Sequence, residues 1–142
     1  IFVVAGSGDM EQQMICEAVK LGIADKVVFA GFLRGGEVDR IYQAADLYVM
    51  SSVSEPFGIA PLEAIANGTP VIISKQSGVS EVVSHALKVD FWDVEEMANQ
   101  ILAVLIYPVL HQTLRDSSRQ DLTKLTWDSS ANRCLKIYNK TM

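Results

Sequence analysis

The 142-residue chain is 49% hydrophobic and carries 12 Lys and Arg against 17 Asp and Glu, a formal net charge of −5. This length and hydrophobic content are enough to bury a core, so we expect one folded domain, and the scattered basic residues argue against a nucleic-acid partner. The apolar run from Ile101 is too short to cross a membrane and contains Pro108, so we expect no transmembrane segment. The two cysteines suit reduced thiols, so we expect a cytoplasmic protein.

Short apolar runs that are typical of strands alternate with segments of helical period along the chain. In chain order, the predicted strands are IFVVAG, KVVFAGF, DLYVMSS, PVIISK and LKVDFW, and the predicted helices between and after them are DMEQQMICEAVKLG, GGEVDRIYQAA, PLEAIANG and VSEVVSHA. Strands separated by helices favour right-handed crossovers and a parallel sheet with helices on both faces. The pattern therefore predicts a Rossmann-like α/β domain.

The first strand and helix carry specific expectations about burial. The run IFVVAG opens at Ile1 without an initiator methionine; we predict a buried strand there and expect the chain to be a fragment truncated at its N-terminus. On the first helix, Met10 and Met14 are expected to fill the core. Cys16 and Cys134 lack zinc-site spacing and are predicted to be reduced core thiols.

Three helices are predicted to follow the last strand. The first begins at Asp93, which forms a capping box with Glu96. The second runs through LHQTLRDSSRQDLTKL, and the third carries an apolar stripe that includes Trp127 and Tyr138. We expect these helices to pack against the sheet or against a part of the protein outside this sequence.

Ligands of parallel α/β folds bind at the carboxyl ends of the strands, so the loops that follow strands are the candidate sites. The loop after the first strand contains Gly6 and Gly8 in a G-x-G pattern without a third glycine. The strand KVVFAGF also ends without the acidic residue that would hold a dinucleotide ribose. A tight turn from strand to helix is therefore favoured over a cofactor site at this loop.

The most informative segment is SEPFGIAPLEAIANGTPVI, in which seven residues separate Glu55 from Glu63. Pro56 pushes Glu55 toward an extended backbone, and Gly58 allows a close approach of backbone to ligand. Pro61 fits the first helical position, which would place Glu63 at the third. The two carboxylates would then flank the positive end of a helix, a seat for a diphosphate, and accept hydrogen bonds from sugar or ribose diols.

Plainer readings of these residues are also open. A Glu in the first turn of a helix contributes roughly 0.3–1 kcal/mol to helix stability without any ligand, and Glu55 alone fits a solvated loop charge. Ser77 and Gly78 either contact phosphate at the start of a helix, or Ser77 caps that helix. The combination of two glutamates with Pro56 and Gly58 after a buried strand favours the ligand site.

The double-glutamate segment resembles the signature of retaining GT-B glycosyltransferases of the group 1 type. Their donor domains carry the pattern E-x-F-G-x-x-x-x-E-A-x-A-x-G-x-P-V-I. The resemblance extends to VVAGSGD, which is similar to the family's glycine loop, to VVFAGFLRGGEVDRIYQAADLYVMSS, to SGVSEVV and to LTWDSSANRCLKIY. It covers nearly the whole chain and implies one lobe of a GT-B architecture.

The resemblance implies roles for individual residues. Glu55 would be the catalytic residue that accepts hydrogen bonds from hydroxyls of the transferred sugar, and Glu63 would hold the ribose hydroxyls. The backbone of Phe57, Gly58 and Ile59 would approach the sugar and the diphosphate. The remaining donor-binding residues implied by the resemblance are Gly31, Phe32 and Leu33 against the base, Gly6 and Gly8 in the glycine loop, and Ser77 and Gly78.

The resemblance also implies the class of substrate. Residues 1–142 would bind a UDP-, GDP- or ADP-sugar as donor, transfer would proceed with retention, and no metal or other cofactor would be needed. The family's diphosphate-clamping Arg and Lys and its N-terminal acceptor domain would lie upstream of Ile1, so we expect the isolated chain to bind weakly and not to transfer sugar. Alternatives are a sugar-nucleotide epimerase of similar fold and a non-catalytic nucleotide-binding module.

This sequence departs from the family pattern after SGVSEVV. The family usually has a glycine and an apolar pair before the next strand, whereas this chain runs SHALKVDFW. Lys75 and Arg34 are the nearest basic residues by loop position, but their spacing favours solvated side chains over a diphosphate clamp. His85 and His111 fit surface or capping roles better than catalytic ones.

Overall fold

The structure is a computed structural model that describes residues 1–141, and the chain divides into two compact units, residues 1–38 and the part that begins at Asp39. The described elements are strands β1 (Phe2–Ala5), β2 (Val27–Gly31), β3 (Tyr48–Met50), β4 (Val71–Ser74) and β5 (Leu87–Val89), helices α1 (Glu11–Lys20), α2 (Gly36–Ala44), α3 (Ala60–Ala66), α4 (Val94–Ile106), α5 (Pro108–Leu122) and α6 (Trp127–Thr141), and 3-10 helices at Ala24–Lys26 and Gly78–Glu81. The α/β class and the alternation of strands with helices are confirmed.

In the first unit, β1 and β2 pair in parallel and form a two-stranded sheet, with Phe2 opposite Val27. The prediction that β1 is buried is wrong, because Phe2 is 59% exposed and Val3 is 45% exposed. Within this unit the ten residues of α1 form the only α-helix that lies wholly inside it. One short helix cannot enclose both faces of a sheet.

The expected core face of α1 is also exposed. Met10 and Met14 are 64% and 41% exposed, so the prediction that they fill the core is wrong. Ala18 is the buried residue of the helix, and its carbonyl accepts a hydrogen bond from the Ile23 N–H. Cys16 is a free, exposed thiol, which overturns the prediction of a core cysteine.

In the second unit, β3, β4 and β5 form a parallel three-stranded sheet with β4 in the centre. All four residues of β4 are buried, as expected for a strand flanked on both sides and covered on both faces. The largest fully buried aliphatic side chains of this unit cluster on the central sheet and the elements around it: Ile65, Val71, Ile72, Ile73, Val79, Val83, Val89 and Val104. The strands thus form two sheets of parallel strands, where the sequence predicted one.

The predicted helix VSEVVSHA is wrong, because only Gly78–Glu81 is helical and its turn is of the 3-10 type. The physical reason lies in α5. One carboxylate oxygen of Asp121, a residue whose side chain is 1% exposed, accepts hydrogen bonds from the N–H groups of Ser84 and His85, each at 2.8 Å. Those N–H groups are bonded to a side chain from elsewhere in the chain, so the backbone turns instead of continuing a helix.

Asp121 is predicted to be a main stabilising residue of this turn. Burial disfavours its charged form, but the N–H donors of His85 and Ser84 and the His85 ring, whose Nδ1 lies 3.1 Å away, outweigh burial and lower the pKa of Asp121. Asp121→Ala leaves two N–H groups without their acceptor, so we expect a loss of about 2–3 kcal/mol in the free energy of unfolding. Denaturant titration measures this loss.

The control is Asp116→Ala on the same helix, where an exposed carboxylate accepts a hydrogen bond from Gln112. This variant should change stability by less than about 0.5 kcal/mol. The pH dependence is a second readout. Because the folded pKa of Asp121 is lowered, its stabilisation is fully present above the unfolded value of about 3.9 and is lost as the pH falls through the folded pKa. Equal stability of wild type and Asp121→Ala at neutral pH would contradict this role.

The C-terminal helices follow the predicted order. Asp93 accepts a hydrogen bond from the Glu96 N–H at 3.0 Å, so the cap is confirmed, but the Asp93 N–H donates to the Asp90 carbonyl and the return bond of the capping box is absent. Trp127 is 92% exposed, so α6 does not bury its stripe on the sheet, and Cys134 is exposed and free, contrary to prediction. Within residues 1–141, no helix is both long and apolar enough to cross a membrane.

Candidate functional site

The segment from Glu55 to Phe57 is held in place by backbone hydrogen bonds. Glu55 forms an isolated parallel bridge with Ser77. The N–H of Gly78 donates to the Glu55 carbonyl at 3.0 Å, and the N–H of Val79 donates to the Phe57 carbonyl at 2.6 Å. The half-buried Glu55 thus stands on a loop fixed to the segment that follows β4, at the carboxyl end of the sheet.

Gly78 is required at this position by its neighbours. A Cβ on Gly78 would overlap the carbonyl oxygen of Pro56 and lie 3.0 Å from the carbonyl carbon. Its N–H is already used by the Glu55 carbonyl. The capping alternative for Ser77 is wrong, because the buried Ser77 hydroxyl donates to the Ser74 carbonyl at 2.7 Å and does not cap the 3-10 helix. Phosphate contact by Ser77 and Gly78 stays a prediction.

Gly58 makes room for the side chain of Glu55. It is buried and has a φ of 95°, a conformation that favours glycine. A Cβ there would come within 3.1 Å of the Glu55 Cγ and 3.4 Å of the Met50 Sδ. A glycine at position 58 thus leaves space for the side chain of Glu55 to pack against the loop. Next to it, Phe57 and Ile59 are 42% and 65% exposed.

Helix α3 begins one residue earlier than the sequence predicted. Its first residue is Ala60, so Pro61 occupies the second helical position and Glu63 the fourth. The N–H groups of Leu62 and Glu63 both donate to the Ile59 carbonyl, and proline has no N–H. The N–H groups of Leu62 and Glu63 are therefore already used within the helix, and the side chain of Glu63 is exposed.

Two tyrosines that sequence reasoning missed lie beside the glutamates. Tyr42 on α2 and Tyr48 on β3 pack edge to face, with ring centroids 5.5 Å apart. The pKa of Tyr42 is raised to about 12. Burial is the largest cause, followed by the electrostatic effect of Tyr48 and then by the charge and hydrogen bonding of Glu63. Burial, then the charges of Glu63 and Glu55, raise the pKa of Tyr48. Both glutamates thus act on the pKa of the same tyrosine.

A signal for these tyrosines was present in the sequence. Tyr42 falls within a predicted helix and Tyr48 within a predicted strand, and a buried tyrosine needs a partner for its hydroxyl. What the sequence does not contain is the partner, because Tyr42 and Glu63 lie on different helices and are brought together only by the packing of the chain.

The first unit brings together the ends of its two strands. The N–H of Gly6 donates to the carbonyl of Gly31 at 2.7 Å, so the glycine loop and the predicted base-contacting loop are neighbours. Phe32 is 66% exposed, and the Arg34 guanidinium lies 5.3 Å from the centre of its ring. A cleft of about 230 Å³ opens beside the glycine loop and is lined by Val4, Ala5, Gly6, Ser7, Gly8, Met10, Glu11, Met14 and Phe29. Leu33 is half-buried.

The remaining candidate side chains have protein partners. The Lys75 ammonium lies 2.8 Å from Asp90, and the side chain is 52% exposed, which agrees with the solvated side chain that the sequence favoured. His111 Nε2 lies 2.9 Å from the carbonyl oxygen of Asp46. Across the described 141 residues, no cluster of three or more His, Cys, Asp or Glu side chains has the arrangement of a metal site.

Comparison with known proteins identifies the family. The model of the glycosyl transferases group 1 family matches residues 1–121, so the chain belongs to that family. An uncharacterized glycosyltransferase from Methanocaldococcus jannaschii is 34% identical over 145 residues, which cover 99% of this chain and 37% of that protein. Mannosylfructose-phosphate synthase from Agrobacterium fabrum is 32% identical over 148 residues, covering 96% and 33%. The chain thus spans about a third of these relatives.

Solved structures agree on the architecture. Sucrose-phosphate synthase from Thermosynechococcus elongatus matches with a TM-score of 0.81 and 27% identity, covering 98% of this chain and 38% of that one. Anabaena HepE, solved in complex with UDP-glucose, matches with a TM-score of 0.75 and 23% identity over 99% of this chain and 40% of that one. The chain therefore has the fold of one lobe of a GT-B glycosyltransferase.

Proposed function

We propose that this chain is the donor-binding domain of a retaining glycosyltransferase and that it binds a nucleotide-diphosphate sugar. Glu55 is the residue that contacts the transferred sugar, and Glu63 is the residue that holds the ribose. The observation that carries the proposal is that Glu55 stands on a loop fixed by hydrogen bonds at the carboxyl end of a parallel sheet, and that Glu63 lies in the first turn of the helix that follows this loop.

The chemistry of carboxylates supports this assignment. An ionised carboxylate is an acceptor with two oxygens and suits pairs of neighbouring hydroxyl groups. A carboxylate beside a diphosphate repels that anion unless neutral groups donate hydrogen bonds to the carboxylate. The diols of a sugar and of a ribose are such donors. The fixed backbone around Glu55 supports a constant distance between its carboxylate and the reacting sugar, which transfer requires.

The donor is proposed to be a UDP-, GDP- or ADP-sugar. HepE, a protein with the same fold, was solved in complexes with UDP and with UDP-glucose, which makes these the first ligands to test. The backbone of Phe57, Gly58 and Ile59 would face the sugar and diphosphate. The glycine loop and the segment from Gly31 to Leu33 would face the rest of the nucleotide.

Other parts of the reaction are assigned to the rest of a longer protein. The relatives are about three times as long as this chain. We propose that the acceptor domain and an Arg and Lys that neutralise the leaving diphosphate lie in that additional length. The isolated 142 residues are then expected to bind donor weakly and to transfer no sugar. For the full-length protein, we expect that addition of EDTA leaves donor binding unchanged.

A thermal-shift panel on the full-length protein tests the proposal. The six ligands are UDP, GDP and ADP and their conjugates UDP-glucose, GDP-glucose and ADP-glucose. We expect one of the three diphosphates to raise the Tm of the protein, and its glucose conjugate to raise the Tm further. No shift with any of the six would contradict donor binding. Conversion of the conjugate into an epimeric sugar nucleotide, without release of diphosphate, would instead indicate an epimerase.

A further inference from the structure

The carboxyl ends of β4 and β5 are joined by the side chain of Gln76, which lies two residues after β4. Its amide nitrogen donates to the Asp90 carboxylate at 2.8 Å, and Asp90 is the residue that follows β5. Its amide oxygen accepts a hydrogen bond from the buried hydroxyl of Ser74 at 2.9 Å, and the Gln76 N–H donates back to that hydroxyl at 3.3 Å. Gln76 thus bridges the last residue of β4 and the first residue after β5.

Gln76 belongs to the segment to which the Glu55 loop is bonded. Two residues further along, the N–H of Gly78 donates to the Glu55 carbonyl at 3.0 Å. The next N–H, that of Val79, donates to the Phe57 carbonyl at 2.6 Å. Hydrogen bonds therefore connect the end of β5, through the segment that contains Gln76, to the backbone of the Glu55 loop.

The position of this backbone also determines where the Glu55 side chain lies. The side chain is half-buried, and its Cγ is 3.1 Å from the place that a Cβ on Gly58 would occupy. The Sδ of Met50 is 3.4 Å from the same place. The Glu55 side chain is thus packed against its own loop, so a shift of the loop backbone moves the carboxylate with it.

Resting on the proposed function, we propose that Gln76 and Asp90 are positioning residues that hold the Glu55 loop in the place that sugar transfer requires. Both act through the backbone of the loop and not by contact with the donor. Without their hydrogen bond, donor binding would have to order this part of the chain. The lost conformational freedom would then reduce the affinity that the sugar adds.

Gln76→Ala and Asp90→Ala each remove the bridge between the two strand ends. Calorimetry on the full-length protein would use whichever of UDP, GDP and ADP gives the largest Tm shift, together with its glucose conjugate. The readout is the ratio of the affinity for the conjugate to the affinity for the diphosphate. We expect this ratio to fall about two- to tenfold in both variants, as for the loss of one hydrogen bond, and the affinity for the diphosphate to stay unchanged.

Three further variants test whether the Gln76 bond itself is responsible. Asp90→Asn keeps an oxygen that can accept from Gln76 but removes the charge that pairs with Lys75, so the ratio should stay at the wild-type value. Lys75→Ala removes the same exposed ion pair from its other side and should also leave the ratio unchanged. The matched control is Gln112→Ala, which removes a glutamine–aspartate hydrogen bond of the same 2.8 Å length, formed with Asp116 within α5.

A double variant separates positioning from a general loosening of the fold. In the Glu55→Ala background, Gln76→Ala should lower the ratio no further. A wild-type ratio in Gln76→Ala, equal losses of affinity for the two ligands, or equal losses with and without Glu55 would overturn the inference. A loss in Asp90→Asn or Lys75→Ala as large as that in Asp90→Ala would assign the effect to the ion pair and also overturn it.

The outcomes also distinguish this inference from the proposed function. If Glu55→Ala lowers the ratio but Gln76→Ala and Asp90→Ala do not, the positioning role is wrong and the donor site stands. If none of the three diphosphates binds, or if Glu55→Ala leaves the ratio unchanged, the proposed role of Glu55 fails, and the positioning role fails with it.

Discussion

Gly78→Ala is expected to destabilise the protein by on the order of 4 kcal/mol or more, or to prevent folding. The new methyl group would overlap the carbonyl oxygen of Pro56 and lie 3.1 Å from the Phe57 Cα, and all of these atoms are backbone. A flexible side chain could move aside, but this segment is fixed by hydrogen bonds from Gly78 and Val79. Urea denaturation of the full-length protein, followed by circular dichroism, measures the effect.

The matched control is Gly36→Ala. Gly36 begins α2, and a Cβ there would meet no atom within 4 Å. Alanine is a better helix former than glycine, so this variant should be as stable as the wild type or slightly more stable. If Gly78→Ala proves as stable as Gly36→Ala, the close packing of Pro56 on Gly78 does not exist in solution.

Glu63→Ala is expected to weaken binding of both UDP and UDP-glucose by about ten- to a hundredfold, because hydrogen bonds to a charged group contribute roughly 1.5–3 kcal/mol. The ribose is common to both ligands, so both should lose the same factor. The control is Glu95→Ala, which removes an exposed acidic residue from the first turn of α4. Unchanged affinity in Glu63→Ala, or an equal loss in Glu95→Ala, would reduce Glu63 to a helix-stabilising surface charge.

Local patterns predicted most of the secondary structure, because period and turn residues are properties of contiguous sequence. The buried run of β4 and the cap at Asp93 are examples. The predicted helix at VSEVVSHA was wrong because its fate depends on Asp121, which is more than thirty residues away along the chain. A side chain from a distant part of the chain that accepts hydrogen bonds from backbone N–H groups cannot be recognised in the local sequence pattern.

Burial was the least predictable property of the first unit. An amphipathic pattern shows which face of α1 is apolar but not what covers that face, and Met10 and Met14 are exposed in the structure. The same holds for the stripe of α6 around Trp127. Hydrophobic periodicity thus predicted α1 and α6 as helices correctly and predicted their burial poorly.

The residues of the proposed site were chosen from the sequence, and the contacts that hold them are visible only in the structure. Proline and glycine around Glu55 and Glu63 indicated a shaped loop, and the structure shows what the glycines do: Gly58 makes room for the Glu55 side chain and Gly78 admits Pro56. The hydrogen bonds of Asn67 with Asp39 and Gln43 were not predictable, because those two residues lie on another helix.

The affinity that the sugar adds is the most direct test of the proposed donor site. Calorimetry on the full-length protein would compare UDP with UDP-glucose, or the pair of the preferred base, in wild type and in Glu55→Ala. We predict that Glu55→Ala binds the bare diphosphate like the wild type and loses only the additional affinity of the sugar conjugate, by about tenfold or more. Equal losses for both ligands, or no loss for either, would contradict the assignment of Glu55 to the transferred sugar.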